Sequence, residues 1–445
     1  MDEAFVNRYD VSGPRYTSYP TVPVWSREFG AADRASALGR CRVGQGIGMY
    51  VHIPFCERRC AYCGCNVVIA RDRDRAELYI DRVLQELEDT LPLLPSEPVT
   101  IKAMHLGGGT PTFLRPMQLQ RLVKGLMKPF ERAPGAEFAL EAEPTVTSEA
   151  HLEVLAELGF NRISFGVQDF DPQVLKIVSR ARADDALPRL VETSRRLGFK
   201  SVNFDLIYGL PGQRPGRWYQ SIQQVLALRP DRAAIYSFAF LPDLRTHQRP
   251  LARHPRPVGL EKVGLFAEAY EAMCSEGYVP VGMDHFALPT DDLAMAQREG
   301  RLGRNFQGYS TQWNMDILGF GVSAISDVGG AFLQNPSTLR EYGRMVDARK
   351  LEPERGWKRT QDDERRRRII QGLMCNFSAP LLLGDVQALA SELEVLTRPQ
   401  FADLVHVGFD RLDLTNLGRI FVRNVAMVFD AYLQGQPAQQ FSRTV

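Results

Sequence analysis

Residues 52–66 read HIPFCERRCAYCGCN and hold four of the chain's seven cysteines within ten positions. Cys56, Cys60 and Cys63 have the spacing C-x3-C-x2-C. A structural zinc site usually takes four ligands in two separated pairs, whereas this tight spacing indicates three thiolates around one iron–sulfur cluster. The fourth iron then lacks a protein ligand, and an open metal position is where an exogenous ligand binds. The alternative is a zinc knuckle completed by Cys65 and His52.

Short apolar runs and amphipathic stretches alternate on either side of this loop, from residue 48 to residue 240. Such alternation predicts βαβ units and a parallel sheet, either doubly wound or an incomplete barrel, with the ligand site at the carboxyl ends of the strands. The glycine-rich, proline-rich or polar loops at these ends favour the barrel. The predicted strands are 48–55, 103–109, 137–144, 162–170, 201–210 and 232–240. The predicted helices are 75–91, 115–128, 148–158, 184–197 and 215–228.

Composition excludes several classes of protein. The 445 residues are 44% apolar and carry a formal net charge of +1, which is an ordinary globular composition and not that of a bulk nucleic-acid binder. The apolar runs fall short of the ~18–20 residues that a membrane span needs. The polar N-terminus does not resemble a secretory signal, and seven cysteines, an odd number, argue against a disulfide framework. The clustering of four cysteines within ten residues indicates a reducing compartment.

The chain divides into three predicted parts. Residues 1–46 are predicted to form an irregular arm, either packed on the body or placed over a site. Residues 47–345 are predicted to form the barrel and its extension. Residues 346–445 read as a mostly helical domain with a winged-helix-like hairpin at 408–422. Four arginines at 365–368 follow three acidic residues, which favours a solvated helix start over a nucleic-acid site.

Polar or glycine residues occupy the ends of several predicted strands. The glycines at 107–109, followed by Thr110, allow a close approach of backbone to a ligand, although a tight turn alone would explain them. Glu141 and Asp205 carry carboxylates that could bind ribose hydroxyls or an amine, or cap the following helix. Arg180 could meet a carboxylate bidentately or form a surface ion pair.

The cysteine loop at the end of the first strand resembles the signature of the radical S-adenosylmethionine (SAM) superfamily, with Tyr62 at the aromatic position before the third cysteine. The resemblance implies a [4Fe-4S] cluster held by Cys56, Cys60 and Cys63, with SAM chelating the fourth iron. One electron then cleaves SAM and releases a 5′-deoxyadenosyl radical. The glycines after the second strand would bind the methionine amino group of SAM.

Further motifs narrow the resemblance. PRYTSYP at 14–20, GFNRISFGVQDF at 159–170, NFDLIYGLP at 203–211 and RNFQGYSTQ at 304–312 are similar to the family of oxygen-independent coproporphyrinogen III oxidases. The similarity runs from about residue 8 to the C-terminus. It implies an α/β fold: an incomplete (β/α)6 barrel with an N-terminal arm over the active site and a mostly helical C-terminal domain.

The resemblance also implies a reaction and its participants. The expected enzyme is a cytoplasmic monomer that converts two propionates of coproporphyrinogen III to vinyls, releasing two CO2 and giving protoporphyrinogen IX. It would use two SAM molecules, a flavodoxin- or ferredoxin-like electron donor and an electron acceptor that the sequence does not name. A hydrogen atom leaves the propionate β-carbon, followed by CO2 and one electron.

Site residues follow from the same motifs. Tyr50 and Gly108 would touch substrate, while Tyr62, Glu141 and Ile325 would line the first SAM. The second SAM would be lined by Gly109, Thr110, Gln168, Arg180, Asp205 and Ala239. Because the substrate carries four carboxylates, Arg15 and Arg304 are also predicted to contact propionates. Cys65 is a thiol outside the ligand set.

The sequence departs from the family pattern in three places. Residues 143–145 read Glu-Pro-Thr where the family usually has an aspartate–proline–arginine turn, Arg182 replaces an amide, and 313–316 are unusual. Two alternatives therefore stay open: a radical SAM methyltransferase or cyclopropanase acting on another substrate, and a non-catalytic haem chaperone. The arm at 14–20 favours the oxidase, and Cys65-Asn66 counts against the chaperone. Nucleic-acid binding rests only on the winged-helix resemblance and the arginine run.

Overall fold

The computed structural model describes residues 2–435 and 441–444, and its centre is one large twisted sheet. Six strands run parallel and in sequence order, as predicted for an incomplete barrel. They are β1 (Ile47–Ile53), β2 (Thr100–Gly108), β3 (Glu131–Ala142), β4 (Arg162–Gln168), β5 (Ser201–Tyr208) and β6 (Arg232–Ser237). The first three begin one to six residues before their predicted starts, and all six end within three residues of the predicted ends.

The sheet extends on both sides of these six strands. Beyond β6 lie two antiparallel strands, and beyond β1 lies a parallel strand that pairs Gly48 with Ile317, followed by three antiparallel strands. The added strands are β7 (Val279–Val281), β8 (His285–Ala287), β9 (Ile317–Phe320), β10 (Ile325–Val328), β11 (Ala331–Gln334) and β12 (Arg355–Lys358). The unusual segment before β9 is held by Asp316, whose carboxylate accepts a hydrogen bond from Arg42 at 2.6 Å.

Helices follow the strands at the predicted places, because their apolar residues recur at helical spacing and pack on the sheet. Those of the barrel are α3 (Arg75–Thr90), α4 (Pro116–Met127), α5 (Glu149–Glu157), α6 (Pro172–Ile177), α7 (Ala186–Arg196) and α8 (Arg217–Leu228). The extension adds α9 (Gly259–Ser275), α10 (Asp292–Arg298) and α11 (Leu339–Asp347). Within the described residues, no helix is long and apolar enough to cross a membrane.

The N-terminal arm is more ordered than predicted. It contains α1 (Glu3–Tyr9) and α2 (Ala31–Leu38), and the helix-breaking residues Gly13, Pro14, Pro20 and Pro23 lie between these two helices. Asp2 caps α1 by accepting a hydrogen bond from the Phe5 N–H at 2.8 Å. Tyr16, Tyr19 and Trp25 of the arm are at most 5% exposed, so the arm packs on the body.

A second hydrophobic core lies near the C-terminus and includes Tyr9, Tyr16 and Tyr19 of the arm. Its helices are α12 (Gln361–Asn376), α13 (Asp385–Ala388), α14 (Ala390–Leu396), α15 (Asn416–Ile420) and α16 (Val422–Met427), and its strands are β13 (Ser378–Pro380), β14 (Val405–Val407) and β15 (Arg411–Leu414). The main sheet continues to Lys358, past the predicted domain start at residue 346. The three-part division stays a prediction.

The arginine run in α12 is not simply a solvated helix start. Arg366 and Arg367 are less than 10% exposed. Arg366 pairs with Glu392 at 2.7 Å and Arg367 with Asp327 at 2.8 Å, while Arg368 pairs with Asp385 at 2.5 Å. These ion pairs join α12 to the barrel sheet and to the rest of the C-terminal part.

A buried carboxylate joins the arm to the barrel. Glu86 in α3 is fully buried and accepts hydrogen bonds from Arg34 at 3.2 Å, Asn335 at 2.6 Å, Tyr342 at 2.8 Å and the Gly321 N–H at 2.9 Å. Its partners come from α2, α11 and the loops that follow β9 and β11. One side chain therefore holds together segments more than 200 residues apart in sequence.

We expect Glu86→Ala to lower the free energy of unfolding by about 3–5 kcal/mol, because it leaves the buried Arg34 guanidinium without its counter-charge. Denaturant titration of the apoprotein measures the change. Glu88→Ala is the matched control, since Glu88 is exposed on the same helix, and it should cost less than about 0.5 kcal/mol. Equal losses in the two variants would contradict this account.

Candidate active site

A cavity of about 630 Å³ lies at the carboxyl ends of the barrel strands, where the sheet topology predicts a ligand site. Most of the predicted site residues line it: Arg15, Cys56, Cys60, Tyr62, Cys63, Gly108, Gly109, Thr110, Glu141, Gln168, Arg180, Asp205 and Ala239. Tyr50, Arg304 and Ile325 are not among the residues that line it. The cavity wall also contains Gly13 from the arm and Ser442 from the C-terminal tail.

The cysteine loop is fixed by backbone hydrogen bonds on both sides. Phe55–Cys56 pairs in parallel with Val68–Ile69, which brings the two ends of the loop together. The Cys63 N–H bonds the Cys60 carbonyl at 3.1 Å, and the Cys63 carbonyl bonds His247 Nε2 at 2.7 Å. All three predicted cluster ligands are free thiols that open on the same cavity. The protein thus holds the loop in place through contacts that do not use the thiols.

The donor set fits a cluster better than a zinc knuckle. His52 has both ring nitrogens engaged, Nδ1 with the Tyr50 hydroxyl at 3.0 Å and Nε2 with the Asn66 carbonyl at 2.9 Å, so it does not complete a zinc site. In residues 2–435 and 441–444, no three His, Cys, Asp or Glu side chains stand close enough to chelate a single ion.

The glycine loop after β2 packs directly on the start of the cysteine loop. The Gly109 N–H bonds the Ile53 carbonyl at 2.7 Å, and the Thr110 N–H bonds the Phe55 carbonyl at 2.9 Å. A Cβ on Gly109 would lie 2.6 Å from the Pro54 carbonyl oxygen, and Gly108 has a φ of +113°. Only glycine permits this contact, so the two predicted binding loops form one unit.

Glu141 supports the glycine loop from the neighbouring strand. One carboxylate oxygen lies 3.2 Å from His105 Nε2, and the other accepts the Gly108 N–H at 3.2 Å. Burial alone would raise the pKa of Glu141, but these two partners outweigh burial and hold the pKa below its ordinary value. The ring of Tyr50 stacks on the ring of His105, with 6.0 Å between the centroids, so Tyr50 lies beside the His105–Glu141 pair.

Asp205 is the second carboxylate at the cavity floor. It accepts hydrogen bonds from Ser164 Oγ at 2.7 Å and from Asn203 Nδ2 at 2.9 Å. Burial raises the pKa of Asp205 to about 6, the two hydrogen bonds oppose the rise, and the charge of Glu141 adds to it. Asp205 is therefore ionised at neutral pH but close to titration.

We expect SAM-dependent turnover to fall as the pH drops below about 6, because protonation of Asp205 removes the charged acceptor from the proposed SAM site. Because the pKa of Asp205 is raised, the folded protein takes up this proton at a higher pH than the unfolded chain does. The charged carboxylate is therefore lost as the pH falls through about 6. A pH series of initial rates measures the effect. Asp205→Asn should lower the rate but remove this acid limb; an unchanged acid limb in that variant would assign the limb to another group.

Arg180 closes the cavity on the side of β4. It forms an ion pair with Glu143, donates to the Gly166 carbonyl and places Nη1 3.6 Å from Cys60 Sγ. Glu143 belongs to the Glu-Pro-Thr turn that departs from the family pattern. No motif in the sequence indicates a role in the site for this residue. In this chain that turn supplies the counter-charge for Arg180.

The two arginines predicted to contact propionates differ in position. Arg15 lines the cavity and donates to the Ser237 carbonyl, while burial lowers its pKa. Arg304 is buried beneath the ring of Tyr309, with the guanidinium carbon 4.6 Å from the ring centroid, and Nη1 lies 3.8 Å from Asp284. The geometry places Arg15 in the site and Arg304 behind it.

Comparison with known proteins decides the family. The model of the radical SAM superfamily matches residues 50–225. The chain is 39% identical to the oxygen-independent coproporphyrinogen III oxidase of Pseudomonas aeruginosa and 40% identical to that of Escherichia coli K12, in each case over 100% of this chain and 98% of the relative. The chain belongs to the family of oxygen-independent coproporphyrinogen III oxidases.

A solved structure agrees with this family membership. Coproporphyrinogen III oxidase (HemN) from Escherichia coli, described as a radical SAM enzyme, superposes with a TM-score of 0.89 at 36% identity and covers 97% of this chain and 99% of its own. The predicted fold class is thereby confirmed. A radical SAM enzyme of this family uses a [4Fe-4S] cluster and SAM, and the three free thiols beside the glycine loop fit that requirement.

Proposed function

We propose that this chain catalyses oxygen-independent oxidation of coproporphyrinogen III, converting two propionates to vinyls and giving protoporphyrinogen IX and two CO2. The observation that carries the proposal is the convergence of Cys56, Cys60 and Cys63 with the glycine loop on one cavity. End-to-end identity with curated oxidases supports the choice of substrate.

The proposed cluster ligands are Cys56, Cys60 and Cys63. When bound, the [4Fe-4S] cluster and SAM supply a 5′-deoxyadenosyl radical that removes a hydrogen atom from the propionate. Beside them the chain provides Glu141 as a fixed anion facing the cationic groups of the first SAM. Tyr62 and Ile325 belong to the same proposed set. Arg15 is the proposed propionate contact from the arm.

A second SAM is proposed in the part of the cavity that is bordered by Gly109, Thr110, Gln168, Arg180, Asp205 and Ala239. Each vinyl group formed consumes one SAM, so two propionates require two SAM molecules. Tyr50 and Gly108 are proposed to touch substrate, and Arg304 is proposed to contact a propionate. The enzyme is proposed to act as a cytoplasmic monomer.

The reaction also needs electron carriers. Each propionate that becomes a vinyl group would lose a hydrogen atom, CO2 and one electron, and each SAM cleavage would consume one electron. We propose a flavodoxin- or ferredoxin-like protein as the donor. A separate acceptor takes the electron left by each decarboxylation.

An anaerobic assay of the reconstituted protein with coproporphyrinogen III, SAM and dithionite tests the proposal. Chromatography should detect 5′-deoxyadenosine and oxidised protoporphyrin together, in a molar ratio approaching two to one. Deoxyadenosine without protoporphyrin would move the chemistry to another substrate, as in a methyltransferase or cyclopropanase. Neither product from protein with an intact cluster, accompanied by stoichiometric haem binding, would favour the chaperone.

A further inference from the structure

Exposed arginines surround the cysteine loop on the outer surface. Arg58 and Arg59 lie between the cluster ligands Cys56 and Cys60, and Arg245, Arg249 and Arg253 lie at the start of, or within, the short helix beside the loop. All five side chains are exposed. We refer to these five residues as the arginine patch.

Both parts of the arginine patch lie against the cysteine loop: Arg58 and Arg59 belong to the loop, and hydrogen bonds connect the short helix to it. Within the helix Thr246–Arg253, His247 bonds the Cys63 carbonyl at 2.7 Å and Gln248 Nε2 donates to the Tyr62 carbonyl at 3.1 Å. Arg59 also borders a groove of about 230 Å³ together with His247 and His254. The patch therefore covers the surface immediately outside the proposed cluster.

The charge of the patch is not balanced by the chain itself. In the part of the chain that the structure describes, none of the five arginines forms an ion pair with a carboxylate. Arg59 and Arg249 donate instead to backbone carbonyls, at 2.9 Å to Val67 and 3.3 Å to Pro242. The nearby exposed carboxylates are Glu57, which pairs with Arg73, and Asp243. A chain with a net charge of +1 thus concentrates positive charge at this face.

The extent of the patch distinguishes a protein partner from the substrate. Arg58, Arg59 and Arg245 border the cavity and could face an anionic substrate, but Arg249 and Arg253 are not among the residues that line it. Positive charge that continues onto the outer surface complements a large acidic surface and not a molecule held inside the cavity.

We propose that the arginine patch is the docking surface for an acidic one-electron donor protein, which reduces the cluster through the Cys56–Cys63 loop. This inference rests on the proposed function, because that chemistry requires an external electron for each SAM. In the step, the donor loses one electron, the cluster gains it, and no covalent bond forms or breaks. Long-range attraction between the patch and an acidic partner increases the rate of productive encounters.

The test uses the full reconstituted chain and a bacterial flavodoxin in its fully reduced form as the probe. The variant is Arg249→Glu with Arg253→Glu, which reverses charge outside the cavity. The control is Lys124→Glu with Arg298→Glu, which makes the same charge change at exposed residues on α4 and α10. Stopped-flow absorbance gives the rate of cluster reduction at several salt concentrations, and calorimetry gives the dissociation constant of the complex.

We expect the patch variant to lower the second-order rate constant of reduction at low salt by about tenfold or more, with a weaker salt dependence and weaker binding. Turnover driven by dithionite should be unchanged, and the control should behave like the unaltered chain. Equal losses in the control, or no loss in the patch variant, would overturn the docking site. A parallel fall in dithionite-driven turnover would assign the patch to substrate. Failure of the proposed function itself is distinct, since the unaltered chain would then make no protoporphyrin with dithionite.

Discussion

Cys60→Ala should abolish both iron–sulfur absorbance and the formation of 5′-deoxyadenosine from SAM. Cys60 is buried at the cavity wall, 3.6 Å from Arg180, and it is one of three thiols available to hold the cluster. Two remaining thiolates leave a second iron without a protein ligand, which weakens the cluster and changes the site at which SAM would bind. Iron and sulfide content, the visible spectrum and anaerobic product analysis measure the result.

Two other cysteines provide the matched controls. Cys65→Ala removes a thiol from the same loop that the family pattern leaves outside the ligand set, and Cys274→Ala removes one from α9. Both variants should retain iron and deoxyadenosine formation. Persistent turnover in Cys60→Ala, or loss of the cluster in Cys65→Ala alone, would contradict the assignment of the three ligands.

Local sequence signals predicted most of the barrel and the central part of the site. Short connections separate the six parallel strands from the helices that follow them. The spacing of apolar residues within each segment is therefore enough to predict a strand or a helix. The cysteine and glycine loops each depend on a few adjacent residues. Their mutual packing through Gly109 followed from the topology, because consecutive parallel strands place their carboxyl ends together.

Features that depend on residues far apart in the sequence could not be predicted from local sequence signals. The parallel strand β9 pairs with β1 although about 270 residues separate them, and no local pattern specifies that partner. The role of Glu86 is hidden for the same reason, since a glutamate in an amphipathic helix usually faces solvent. The packing of Arg304 beneath the ring of Tyr309 also depends on the tertiary structure, and its predicted contact with a propionate stays a prediction.

The chain departs from the family pattern at residues 143–145, and the pairing of Arg180 with Glu143 shows how the structure compensates. Thr145 stands where an arginine is usual, and the sequence alone does not indicate how the site adjusts. The structure shows that Glu143 of the same turn pairs with Arg180, and that its carboxylate also accepts a hydrogen bond from Thr145 Oγ1 at 3.0 Å. The turn is held by its own residues, which explains how the cavity wall keeps its position without the arginine.

Glu141→Gln should weaken SAM binding by about 10- to 100-fold, because a hydrogen bond to a charged group contributes about 1.5–3 kcal/mol. The amide keeps nearly the same shape and one oxygen for the Gly108 N–H, but it loses the negative charge opposite the cationic groups of SAM. The lowered pKa of Glu141 means that this charge is present across the neutral range. Equilibrium dialysis with SAM on the anaerobic holoenzyme measures the dissociation constant.

Glu137→Gln is the control, because it removes a negative charge from the same strand at a position that does not line the main cavity. Glu137 lies four residues before Glu141 on β3 and on the same face of the strand, and its carboxylate is 2.8 Å from Arg162. Glu137 borders a second cavity, which shares Glu141 and Asp205 with the main one, but it does not line the main cavity itself. Its substitution should therefore reduce stability while leaving the dissociation constant for SAM unchanged. If both variants weakened SAM binding equally, the effect would come from loosening of β3, and Glu141 would have no direct part in holding SAM.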